Sequence, residues 1–85
     1  MTTTAEIQKQ NEELAEKINE EALRDPHSPY AGKFVGIANG KVVVVTDDLD
    51  ELDRHLDEAE PDSERTIWIE ASRDYSRTEY IWRSR

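Results

Sequence analysis

The chain has 85 residues, 35% of them hydrophobic and 36% charged, and a net charge of −9, so it holds one small domain with a thin core. It contains no cysteine, which removes disulfides and thiolate metal sites, and no apolar run reaches the roughly 18 residues of a membrane span. The acidic balance repels a phosphate backbone, which disfavours double-stranded nucleic acid as a partner. A basic partner, or mimicry of nucleic acid, is the alternative to a merely solvated surface.

In chain order, residues 3–24 read as a helix. Thr3 and Glu6 have capping-box spacing, and Pro26 disfavours a helical Asp25. Its inner positions, Ile7, Asn11, Leu14 and Ile18, form a narrow coiled-coil-like seam that Glu21 ends, with Asn11 where a polar residue fixes pairing. Such a stripe packs on its own domain, pairs with another copy or a partner, or frays. A homodimer in which Asn11 faces its own copy is one expectation. The Met1-Thr2-Thr3-Thr4 start leads into polar sequence and not a signal-peptide core, so the expected location is cytoplasmic.

Residues 26–33 read as a linker between an N-terminal acidic helix (1–25) and the remaining domain (34–85). Asn39-Gly40 is a hairpin signal, since a type I′ turn needs positive φ at both central positions. Residues 34–38 and 41–46 flank it as strands. Val42 to Val45 are apolar on both pleat faces, as are Phe34 and Ala38 against Val35 and Ile37, so both faces of the hairpin need cover. Residues 48–60 read as a second helix, capped by Asp48 with Glu51 three residues on, with Leu49, Leu52, Leu56 and Ala59 on one stripe and Pro61 beyond its end. Residues 65–71 and 78–83 alternate as strands. The expected fold class is α+β, a small antiparallel sheet of three to four strands in the order α-β-β-α-β-β. One helix packs on the sheet; the N-terminal helix covers the other face or pairs.

Little of this pattern supports catalysis. Gly36 and Gly40-Lys41 are too close for a Walker loop, and Gly40-Lys41 and Gly32-Lys33 both precede strands, which offer no helix N-terminus to an anion. His55 with Glu51 and Glu58 is the best candidate metal clasp, and a weak one; the dense helix carboxylates lack a calcium-loop pattern. No nucleophile sits in an activating context, and no pattern asks for a cofactor. The tail is less ordinary: after residue 64 every basic residue is arginine, interleaved with large aromatics. Trp68, Tyr80, Trp82, Arg77 and Arg83 are candidate interface residues, because arginine and aromatics dominate binding hot spots. The same interleaving suits stacking on single strands. The expected function is a non-catalytic protein-interaction module, an adaptor or small regulatory subunit whose protein partner the sequence does not identify. The alternatives are an antitoxin-type or nucleic-acid-linked regulator, or a metal-dependent hydrolase.

Tyr30-x-Gly32-Lys33, the apolar strand, the glycine turn, the Val-rich strand, the acidic cap and the leucine-spaced helix together resemble a family of short prokaryotic domains, domain of unknown function 5678, over residues 30–71. The resemblance implies a compact hairpin, helix and strand unit and carries no catalytic or ligand residue. The long acidic helix and the arginine-aromatic tail depart from the family pattern.

Overall fold

A computed structural model describes residues 3–73. In chain order they form α1 (Thr4–Arg24), β1 (Phe34–Ala38), β2 (Lys41–Thr46), α2 (Leu49–Ala59), a single 3₁₀ turn (Ser63–Arg65) and β3 (Thr66–Glu70). The strands make one antiparallel sheet in the order β2-β1-β3, an α+β arrangement with a helix on each face. The strand expected at 78–83 lies outside the described residues.

Local chemistry sets the elements. Thr3 caps α1 through a complete capping box: its hydroxyl accepts from the Glu6 backbone N–H while the Glu6 carboxylate accepts from the Thr3 backbone N–H. Asn39 and Gly40 take φ of 53° and 78°, the type I′ geometry that turns β1 into β2. Asp48 caps α2 by accepting from the Asp50 backbone N–H, so the helix starts at Leu49. Asp62 caps the 3₁₀ turn, which occupies Arg65 and delays the third strand from the expected 65 to Thr66.

The two-sided apolar character of the hairpin is met inside the chain over β1, while Val43 and Val45 of β2 stay 38% and 40% exposed. On one face, Val35, Ile37, Ile67, Ile69 and Ala71 pack against Ala15, Ile18 and Ala22 of α1, with Leu14, Tyr30, Ala31 and Val42 partly buried around them. On the other, α2 lies over β1 and β2 through Leu52 and Leu56. Gly36 permits that contact: a Cβ on it would meet Val44 Cγ1 at 2.5 Å and Leu56 Cγ at 2.9 Å. The stripe of α2 is shorter than its leucine spacing suggests, since Leu49 is 50% exposed and Ala59 is exposed. Eleven residues lying across two strands bring only the middle turn of the helix into contact.

The inner stripe of α1 also differs from its sequence pattern. Ile7, Asn11, Ala15, Ile18, Asn19 and Ala22 are buried, whereas Leu14 is only partly so. Alanines let the helix approach β3 closely, and the stripe continues past Glu21 to Ala22. Nor does Asn11 face a second copy of the chain. Its Oδ1 accepts from the Gly40 backbone N–H at 2.7 Å, and its Nδ2 donates to the Arg65 carbonyl at 3.0 Å, tying the hairpin tip to the start of β3. Asn19 Nδ2 donates to the Ala71 and Arg73 carbonyls at 2.9 and 2.6 Å, just beyond the other end of β3. Gln8 adds a bond to the Glu64 carbonyl, so α1 runs along β3 in the same direction, held at both ends. Together these amides spend the polar capacity of the stripe on their own chain.

Residues 26–33 are a series of turns fixed to the body. Ser28 is buried; its hydroxyl donates to Glu21 and accepts from the Tyr30 backbone N–H. The Gly32 backbone N–H donates to Ser72, and the Ala71 backbone N–H donates to the Lys33 carbonyl, so the segment closes against the end of β3. No described helix is long and apolar enough to cross a membrane.

Candidate functional site

β3 alternates. Ile67 and Ile69 turn toward α1 and are buried, while Thr66, Trp68 and Glu70 turn to the α2 side. On that side the cover is incomplete, because α2 packs on β1 and β2, ends at Ala59, and is followed before β3 only by the 3₁₀ turn. Trp68, in the middle of the strand opposite Gly36, is consequently 41% exposed. Among the described residues its aromatic neighbour is half-buried Phe34, which meets it edge to face with ring centroids 5.9 Å apart at 76°.

The rim of this open face is acidic. Trp68 lines one shallow groove with Leu56 and Pro61 and with the carboxylates Asp53, Asp57 and Glu60. Glu60 is held in place: Oε1 accepts from Asn39 Nδ2 at 2.9 Å and Oε2 from the Asp62 backbone N–H at 3.1 Å. The Asn39 amide, then the Asp62 N–H, keep its pKa below the usual glutamate range. Asp53 and Asp57 are exposed, and neither makes an ion pair with a described residue. The last turn of α2 carries no basic residue.

Elsewhere, several polar side chains have structural partners. Glu6 belongs to the capping box, and its bonds from the Thr3 backbone and then the Thr3 hydroxyl lower its pKa. Lys33 and Asp47 approach to 3.5 Å on the surface. His55 Nδ1 lies 4.0 Å from Glu58, and among the described residues no group of three or more His, Cys, Asp or Glu side chains is placed to hold a metal ion, the set of His55, Glu51 and Glu58 included.

Of the candidate interface residues, Trp68 is on the open face, while Arg77, Tyr80, Trp82 and Arg83 lie outside the described residues. The seam residues Ile7, Asn11 and Ile18 are buried against their own chain, so they offer no free surface. Sequence reasoning did not single out Phe34, or Asp53 and Asp57 as a rim; only the position of α2 over the sheet joins them to Trp68. Compared with known protein families, curated proteins and solved structures, the chain gives no match.

Proposed function

We propose that the chain is a non-catalytic protein-interaction module, an adaptor or small regulatory subunit, and that the open face around Trp68 is where it meets its partner. The observation that carries this reading is a tryptophan 41% exposed at the centre of a strand whose neighbours on the opposite pleat are buried. Tryptophan is among the residues most enriched at binding hot spots, and leaving a large indole in water forgoes burial that a partner would supply. The relation of residues 30–71 to domain of unknown function 5678 belongs to the same proposal. It is supported by the shared order of hairpin, helix and strand, and it brings no activity with it. A cytoplasmic setting suits the cysteine-free composition.

The test is affinity capture from lysate of the source cells, with the full-length chain and its Trp68→Ala variant side by side. The expected result is a protein retained by the parent and lost from the variant. Identical retention by both contradicts the reading.

A further inference from the structure

We infer that the open half of the α2-side face docks an extended, arginine-bearing segment of a partner protein, with a guanidinium over Trp68 and against Asp53 and Asp57. The inference rests on the interaction-module reading and adds the chemistry of the occupant. Three features of the face select a cation. Trp68 and Phe34 present aromatic surface, and an indole face is the best aromatic acceptor for arginine, whose flat guanidinium also stacks on it. Asp53 and Asp57 border the same groove and have no ion-pair partner among the described residues. Asp57 stands in the last turn of α2, where the helix already carries partial negative charge and which holds no basic residue. A docked cation relieves that repulsion; an anion or another carboxylate-rich surface adds to it.

The same electrostatics disfavour other occupants. A second copy of a chain of net charge −9, docking through this face, sets acidic rim against acidic rim. A nucleic-acid strand brings phosphates to Asp53, Asp57 and Glu60. A purely apolar segment gains Trp68 and Phe34 but leaves the two aspartates in a less hydrated setting without a partner.

The experiment uses the full-length chain carrying Trp82→Phe, which leaves Trp68 as the sole tryptophan. Its fluorescence is followed during titration with a short blocked peptide of alternating arginine and alanine. The citrulline and glutamate counterparts of that peptide serve as controls. The expected result is a saturable change with the arginine peptide alone, with affinity falling about tenfold between about 0.05 and about 0.3 M salt. Asp53→Asn with Asp57→Asn should weaken the response about tenfold or more while the melting temperature holds or rises. An equal response to the citrulline peptide overturns the inference and leaves the interaction-module reading standing. No saturable response to any peptide also overturns it, and the Trp68-dependent capture then judges the broader reading independently. A response that emerges only when Arg77, Arg83 and Arg85 are all changed to glutamine in the full chain assigns the face to the chain's own arginines and overturns a partner as occupant.

Discussion

The two faces of the sheet use similar side chains to opposite ends. Toward α1, every strand residue of the cluster is at most 4% exposed, and two asparagines bond backbone groups at the hairpin tip and at both ends of β3. Toward α2, Leu52 and Leu56 pack over Gly36 and Val44, and the third strand is left with its tryptophan 41% exposed. What separates them is where each helix lies. α1 runs along an edge strand and is held at both ends, whereas α2 crosses the centre and the opposite edge. The first face supplies stability and the second surface, a division that substitutions on the two faces should expose.

The largest effect is expected at Ile37, which is fully buried between α1 and the sheet. Ile37→Ala should cost about 2–5 kcal/mol in urea unfolding, enough to bring a domain of this size close to unfolding. A loss no greater than that of Trp68→Ala would break the comparison. Next is Asn11→Ala, which strips the bonds to Gly40 and Arg65 and leaves a buried donor and a weakened acceptor, a loss of about 1–3 kcal/mol. A pairing asparagine at a two-fold seam would behave differently, since its replacement by leucine would tighten self-association; sedimentation of Asn11→Leu separates the two roles. Gly36→Ala sharpens the account of the α2 side. Val44 is stiff at χ1 and Leu56 is reached near its branch point, so relief requires the helix to move, at about 1–3 kcal/mol.

Smaller effects should carry opposite signs for folding and for binding. Asp57→Lys places a positive charge at the C-terminal end of α2 and should stabilise the fold by about 0.3–1 kcal/mol while abolishing capture of an arginine-bearing partner. The smallest effect is the acid limb. Glu6 and Glu60 have pKa values lowered by hydrogen bonds made only in the fold. Their contribution is therefore complete above about pH 4.3, the unfolded glutamate value, and is lost as pH falls through the lower folded values. Glu60→Gln should flatten the pH dependence of the unfolding midpoint in that window and lower the midpoint slightly at neutral pH, where the contribution of the ionised carboxylate is complete.

Much of the fold is legible because the signals are local. Thr3 and Glu6 lie within one turn of each other, Asn39-Gly40 fixes its own turn, and Asp48 needs only the next two residues to cap α2. The demand that both faces of the hairpin be covered is also written in the valine run; α1 meets it over β1 and leaves Val43 and Val45 of β2 exposed. What the pattern misstates depends on a neighbour's position. Leu14 outranks Ala15 on any hydrophobic scale, yet close approach to β3 selects the alanine. Asn11 reads as a pairing residue until Gly40 and Arg65 are brought beside it, and Asn19 gives no apolar signal at all. The site is less legible still. Alternation places Trp68 on the α2 side, but its exposure follows from α2 stopping short of β3, and the acidic rim reads in sequence as an ordinary solvated helix face.

The most direct test of the open face is acrylamide quenching of Trp68 in the full-length Trp82→Phe chain, without any partner added. The account predicts red-shifted emission and ready quenching, both reduced once an arginine-bearing partner is bound. Blue-shifted emission that resists acrylamide in the free chain would mean that Trp68 is already covered, and would contradict the account.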